Sequence, residues 1–316
     1  MRPLFKPAIL FVAIGLAIYA ALYYAAEQLM YRNGHSNAFF KIATAAEPDF
    51  DWVILGASHA MPLDFADFNS GMRRDTSLRI INLASPGTGP LYNRFVLEEF
   101  LRRHRARSLL YVVDSFAFRA RTWNEDRFGD AKLLRATPFT PALARRFIAY
   151  ARRDSVDPRA ALDYVTGFSK INNRDRFRPD MFEGEPQFER VHRPSASALR
   201  SRIAYLYPQP PAPGALSRYL SVFEDLLALA ERRGLRVAVI KMPLPAAFRA
   251  QLPDEKGFDE AIAPVLARHS IVLRDFSASL DDPKFYLDTD HLNRTGLSEF
   301  YASSLRTILL QPTTPP

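Results

Sequence analysis

Four short runs of apolar, largely β-branched residues constrain the fold of this chain more than any other feature: WVILG (52–56), RIINLA (79–84), SLLYVVD (108–114) and RVAVIKM (236–242). None alternates apolar with polar positions, as a strand with one wet face would, so each reads as a strand covered on both faces. A weaker fifth run, IVLRDF (271–276), follows them. Between the runs lie segments with apolar residues at helical spacing: 91–104, with Phe95, Val96, Phe100 and Leu101; 219–233, with Leu220, Phe223, Leu226, Leu227 and Leu229; then 258–268 and 295–310. Strands that alternate with helices imply an α/β fold, a doubly wound parallel sheet in three layers with right-handed crossovers. Such sheets bind ligands at the carboxyl ends of their strands. Ser58, the 82–89 segment and Asp114 each follow a strand, which brings them to one edge.

The N-terminus sets a second constraint. PAILFVAIGLAIYAALYYAA (7–26) carries no charge, and at about 1.5 Å per residue it covers roughly 30 Å, the thickness of a bilayer core. Arg2 and Lys6 precede it and Glu27 follows it, so the positive-inside bias keeps the first six residues cytoplasmic and exports the rest. Tyr19, Tyr23 and Tyr24 then fall near the outer interface. The expectation is an uncleaved signal anchor over 1–28, spanning the inner membrane once, with the following domain periplasmic. A cleaved signal peptide competes with that reading, but the run exceeds the usual ~7–15 residues of such a segment. Apolarity all round the helix argues against a buried soluble helix. A linker is expected over 29–50, the α/β domain over 51–311 and a short tail over 312–316. The interval 115–215 breaks the strand–helix alternation; it holds helical stretches at 141–153 and 157–168, and ends in the proline-rich YPQPPAPGA (207–215). It reads either as an insertion over the active edge or as a solvated basic loop.

Lys and Arg number 42 against 34 Asp and Glu, a net charge of +8, with basic runs at RRHRAR (102–107) and ARRFIAYARR (144–153). That balance favours anionic partners, whether lipid, acidic polysaccharide or nucleic acid. The sequence has no helix-turn-helix pattern, zinc-ligand spacing or aromatic RNA-binding motif, so no nucleic-acid partner is expected. The absence of cysteine excludes disulfides, thiolate metal sites and cysteine nucleophiles.

The chemistry concentrates at two places. In DWVILGASHAMP (51–62), Ser58 follows a strand and two small residues, Gly56 and Ala57. It is either a turn residue or a nucleophile presented at a sharp bend, and a nucleophilic serine needs a base. Of the six histidines, His35 falls in the linker, His104 and His269 at basic helix ends, and His192 in the insertion; surface roles fit all four. His59 adjoins Ser58, but adjacent side chains at such a bend diverge, so His59 is expected at the rim. His291 differs in its company: FYLDTDHLNRTG (285–296) sets Asp288 three residues before it. That spacing lets a carboxylate accept the Nδ1 proton and leaves Nε2 free to take the serine proton. Asn293 is suited to cap the helix that starts at Arg294. Asp288 and Asp290 could also attract a divalent cation, but a single His without a second ligand cluster makes this the weaker reading. Neither metal nor cofactor is expected.

Taken in order, GASH, NLASPGTG and DTDHLNRTG resemble the blocks of the SGNH (GDSL-like) hydrolase superfamily. With the N-terminal anchor, the chain looks most like the membrane-anchored branch that includes DltD of teichoic-acid D-alanylation and the alginate O-acetylation proteins of the AlgJ type. The resemblance spans 51–310 in topology and rests on those three blocks. It implies Ser58 as nucleophile, His291 as base and Asp288 as orienting acid. It also implies that the backbone N–H groups of Ser58 and Gly87 hold the oxyanion, an effect worth about 3–4 kcal/mol per donor in other enzymes. Pro86-Gly87 would equally suit an ordinary turn. One block departs. The superfamily places Gly-x-Asn-Asp after the next strand, whereas this chain has VVDSFAF (112–118). Asp114 would repel an oxyanion, which leaves Ser115 as the side-chain donor there; loss of the Asn argues against a general esterase and is shared with the acyl-transfer branch. The resemblance thus implies an O-acyltransferase or esterase that modifies a cell-envelope polysaccharide through an acyl-serine, with a polytopic membrane acyltransferase as the partner that supplies acyl groups. A deacylase of the same ester and a catalytically silent envelope scaffold are the alternatives.

Overall fold

The computed structural model describes residues 5–33, 36–178, 181–182, 184–208 and 213–311. Arg2, His35, the middle of the proline-rich return (209–212) and the tail (312–316) lie outside the described residues. Two compact units emerge: Met1–Ala43 with Phe128–Met181, and Thr44–Arg127 with Phe182–Pro316.

The second unit holds the sheet. Five strands, β1 (Asp49–Leu55), β2 (Ile80–Asn82), β3 (Arg105–Val112), β4 (Arg236–Lys241) and β5 (Leu273–Asp275), run parallel in the order β2-β1-β3-β4-β5. This is the doubly wound α/β sheet that the strand–helix alternation implies. Register is set by pairs such as Val53 with Ile81, Ile54 with Leu110 and Tyr111 with Val239. The pleat sends successive residues to opposite faces. Trp52 and Ile54, with Ile80, Leu110, Val112 and Ile240, form one core with Leu297, Phe300, Leu305 and Ile308 of the C-terminal helical segment. The indole N–H of Trp52 donates to the Leu309 carbonyl at 3.1 Å, so this large buried residue leaves no donor unpaired. On the opposite face Tyr111 meets Phe223 at 4.8 Å between ring centroids, under the helix Ala215–Arg232, which also packs on the helix Pro90–Arg103. Both faces are therefore covered, the physical reason that the strand runs are continuously apolar.

The final helix departs from the expected single segment over 295–310. It runs Arg294–Phe300, passes through a π turn at Tyr301–Leu305 and resumes at Arg306–Leu310. Unbroken α spacing from Leu297 and Phe300 would bring Ser304 inward. The wider turn brings Leu305 in instead, in line with Ile308 and Leu309.

Among the described residues the first unit combines the N-terminal helix Phe5–Asn33 with five shorter α-helices, Ala38–Thr44 (to Ala43), Ala131–Ala136, Pro141–Arg153, Pro158–Thr166 and Phe168–Ile171. The N-terminal helix is long and apolar enough to cross a membrane. Its C-terminal half is tied to the shorter helices. Lys170 Nζ lies 2.5 Å from Glu27, and Gly167, in a left-handed conformation (φ 69°), abuts the Tyr23 ring so closely that a Cβ would stand 2.4 Å from it. Within the interval 115–215, Phe128–Met181 belongs to this unit and the remainder to the sheet-bearing one.

Candidate active site

In a sheet of this order the strand direction of travel reverses between β1 and β3, and the crevice beyond their carboxyl ends is where such folds bind ligands. Ser58 follows β1 there, and Asp114 follows β3. Gly56 makes the bend possible. Its φ is 150°, and a Cβ would meet the Val112 carbonyl at 2.8 Å, so only glycine lets the end of β1 pass the end of β3 at this distance. Ser58 opens the 3₁₀ turn Ser58–Asp64. The end of β2 and the loop after it brace that turn: Asn82 donates to the Ala60 carbonyl at 2.8 Å, Ser85 N–H donates to the Gly56 carbonyl at 3.3 Å, and the Thr88 hydroxyl lies 3.1 Å from that carbonyl and 2.9 Å from that of Ser85.

His291, the residue expected as base, arrives from the other end of the chain. An isolated antiparallel bridge pairs Tyr286 with Leu292, and Leu287 N–H donates to the His291 carbonyl at 2.9 Å, so 287–291 forms a tight projecting loop. Asn293 caps the helix behind it, accepting from Gly296 N–H at 2.9 Å and donating to the Lys284 carbonyl at 2.8 Å. Within the loop, Asp288 accepts from the backbone N–H groups of Asp290 (3.0 Å) and His291 (2.8 Å), which fixes its carboxylate. His291 Nδ1 lies 2.9 Å from Asp288 Oδ2, and its Nε2 lies 2.8 Å from Ser58 Oγ. A carboxylate only accepts, so Nδ1 carries the proton and Nε2 presents its lone pair to the serine hydroxyl. Ser58 and His291 are buried, whereas the Asp288 side chain remains 41% exposed. Burial pushes the Asp288 pKa up, but the facing His291 charge and hydrogen bond outweigh it and hold the carboxyl below its ordinary value.

His59 is not at the rim. It is 5% exposed, with Nδ1 2.6 Å from Asp114 Oδ1 and Nε2 3.0 Å from Asp290 Oδ2. The adjacent side chains do diverge, as expected, but the 3₁₀ turn sends His59 inward between two carboxylates. Burial alone would lower its pKa; Asp114 first and Asp290 second reverse that and raise it to about 10. His59 is therefore an imidazolium, and it neutralises the Asp114 carboxylate that would otherwise repel an oxyanion. Asp290, fully buried, also accepts from Arg202 at 2.7 and 3.0 Å and from Thr289 at 2.7 Å. The His59 and His291 rings stand 5.1 Å apart between centroids.

The expected oxyanion groups fall out unequally. Gly87 has φ 59° and lies on the buried Trp123 ring, where a Cβ would approach to 2.7 Å. Among the described residues neither the Ser58 nor the Gly87 N–H donates to a protein carbonyl. Ser115 is different: its hydroxyl donates to Glu255 Oε2 at 2.5 Å and meets Tyr207 Oη at 2.6 Å. Its one proton is thus already committed. Sequence reasoning missed His59, Arg202, Asn82 and Thr88. Asn82 and Thr88 sit in the quoted NLASPGTG block, but nothing in the spacing of Arg202 signals a partner 88 positions away.

His59, Asp290 and His291 bring donor atoms within 4.8 Å of one another, a spacing that could hold a metal ion. The donors are spent on each other. Asp290 is engaged by a guanidinium, and His59 has both ring nitrogens on carboxylates, so an added cation would have to displace two positive charges. The set does not fit a metal.

No protein-family model and no curated protein sequence matches this chain. Among solved structures it is similar to one from Bacteroides fragilis described as "a putative acylhydrolase", with a TM-score of 0.40 and 8% identity over 86% of this chain and 95% of that one. At that degree of likeness no chemistry transfers from one protein to the other.

Proposed function

We propose that this chain is a membrane-anchored serine acyltransferase or esterase of SGNH type that works through an acyl-Ser58 intermediate on a cell-envelope polysaccharide. The observation that carries the reading is the continuous relay Ser58–His291–Asp288, with heavy-atom distances of 2.8 and 2.9 Å. His291 Nε2 takes the Ser58 proton as Oγ bonds to the acyl carbonyl carbon, and the carbonyl π pair becomes the oxyanion. The Ser58 and Gly87 N–H groups receive that charge. On collapse the ester C–O bond breaks, and His291 returns the proton to the leaving oxygen. An acceptor hydroxyl, from glycan or from water, then repeats these steps in reverse order and releases Ser58. Asp288 keeps the imidazole in the required tautomer throughout.

The commitment of Ser115 to Glu255 supports backbone donors alone in the oxyanion role. The apolar N-terminal helix and the basic balance of the sequence support an enzyme held at the outer face of the inner membrane, acting on anionic polymer and taking acyl groups from a polytopic membrane acyltransferase. A serine-reactive fluorophosphonate is expected to label the full-length protein at Ser58 and not Ser58→Ala; equal labelling of both would sink the reading. Mass spectrometry of Ser58 after exposure to an acyl donor then separates the two acceptors. Acyl-serine that discharges only when glycan is added indicates transfer, and discharge into buffer indicates hydrolysis.

A further inference from the structure

Beside the N-terminal helix, the segment Pro158–Thr166 and Phe168–Ile171 shows an exposed apolar stripe at a spacing of three residues: Leu162 (63% exposed), Val165 (41%) and Phe168 (61%). Its opposite face, Ala160, Ala161 and Tyr164, is buried in the unit. Where the segment meets the long helix is informative. Tyr19 donates to the Thr166 carbonyl at 3.1 Å, and the Tyr23 ring rests on Gly167. Tyr19 stands about 18 Å along the helix from Pro7 and Tyr23 about 24 Å, so both contacts fall in the outer half of the apolar run, toward the boundary at Glu27.

Polar groups next to lipid need internal partners, and Asp163, Thr166, Ser169 and Lys170 of the segment have them, whereas Arg159 lies exposed where the segment begins. The Thr166 hydroxyl donates to the Leu162 carbonyl at 2.9 Å, and the Asp163 carboxylate accepts from Ser169 N–H and Oγ at 2.8 and 2.5 Å. Of the segment's two cations, Lys170 is 2% exposed and paired with Glu27 where the apolar run ends, and Arg159 is exposed at the other end of the segment. Between Phe128 and Met181 the chain carries eleven Lys and Arg against six Asp and Glu. Arg152 and Arg159 among them are exposed, a charge balance suited to anionic headgroups.

We propose that the segment 158–171 is an interfacial membrane element that sets Leu162, Val165 and Phe168 into the headgroup–acyl boundary of the leaflet next to the spanning helix. The inference rests on the reading of Phe5–Asn33 as a spanning helix. It turns a single-point tether into a two-contact seat and fixes the azimuth of the first unit about the helix axis.

Tryptophan reporters test it cleanly, because the two native tryptophans, Trp52 and Trp123, are 2% and 0% exposed. Full-length Phe168→Trp and Val165→Trp proteins, with Leu10→Trp as the reference for the spanning helix, are reconstituted into phosphatidylethanolamine–phosphatidylglycerol vesicles containing acyl-chain-brominated lipid. The expected result is a blue shift and loss of the added emission at positions 168 and 165, as at position 10. Quenching at position 10 alone would overturn the inference and leave the anchor standing. Quenching at none of the three overturns both.

Discussion

A histidine with a carboxylate on each ring nitrogen has no lone pair to offer, and that is the state of His59 between Asp114 and Asp290. It holds charge in place beside Ser58 and His291. With a folded pKa of about 10 against an ordinary 6.5, it contributes stability that is complete below pH 6.5 and is lost as the pH rises through 10. His59→Gln leaves Asp114 buried without its cation, so it is expected to cost about 3 kcal/mol in urea denaturation at mildly acidic pH. The deficit should shrink steadily toward pH 10; a deficit that grew with pH would contradict the imidazolium. Asp288 makes the opposite case. Its carboxyl is held below the ordinary range, so its charge is present above that range and is lost as the pH falls through its folded pKa. Asp288→Asn keeps the size and reverses one hydrogen bond, and it is expected to slow phosphonate labelling of Ser58 roughly ten-thousand-fold, as tautomer reversal does elsewhere. The half-exposed side chain should leave the melting temperature nearly unchanged. Legibility at this scale followed chain proximity. Asp288 and His291 are three positions apart and could be read as a pair, whereas His59 finds Asp290 across 231 positions and Arg202 finds it across 88. No periodicity encodes such distances, and the 3₁₀ turn that sends His59 inward has no sequence signature of its own.

At the level of elements, the loops after β1 and β2 form one object, because Asn82 at the end of β2 and Ser85 in the loop after it donate to carbonyls of the first. Gly87 is its most exacting position. Alanine there pays about 1–2 kcal/mol for the left-handed backbone, and its Cβ would press on Trp123, which is fully buried and held by a hydrogen bond to the Leu206 carbonyl. The loop must yield rather than the ring, and the Gly87 N–H moves with it. Gly87→Ala is therefore expected to slow Ser58 labelling by about 10²-fold, the loss of one oxyanion donor, while the protein still folds. A labelling rate within experimental error of the parent would remove Gly87 from the oxyanion role. The strands were legible because burial on both faces writes an unbroken apolar run. β5 was only faintly so, since Leu273 and Arg274 at this sheet edge are half-buried and Asp275 is exposed. The π turn at Tyr301–Leu305 was not legible, because the sequence of the last helix fits plain α spacing until the core demands Leu305 in place of Ser304.

For the molecule as a whole, the N-terminal helix is more than a leash. Glu27 near its end and Lys170 in the helix Phe168–Ile171 form an ion pair whose lysine is almost wholly buried. Lys170 also lies over the Tyr23 and Tyr164 rings at 5.6 and 5.9 Å. Burial pulls its pKa down, and the Glu27 charge only partly restores it. The ammonium is thus tolerated because of its partner and gains little from the pairing itself. Glu27→Gln removes that partner and is expected to destabilise the first unit by roughly 3–5 kcal/mol. Faster limited proteolysis between Phe128 and Met181 would report the loss. Lys170→Met alone strands the carboxylate instead, which can still reach water through its 16% exposed side chain, so its effect should be smaller. The double variant Glu27→Gln, Lys170→Met removes both charges and fills the space with apolar atoms, and it should recover most of the parent's resistance. If the double variant is instead as labile as the sum of the singles, the pair is not acting as a buried unit. The Tyr19 and Tyr23 contacts and the Asn33 hydrogen bond to the Arg176 carbonyl would then join the long helix to its neighbours.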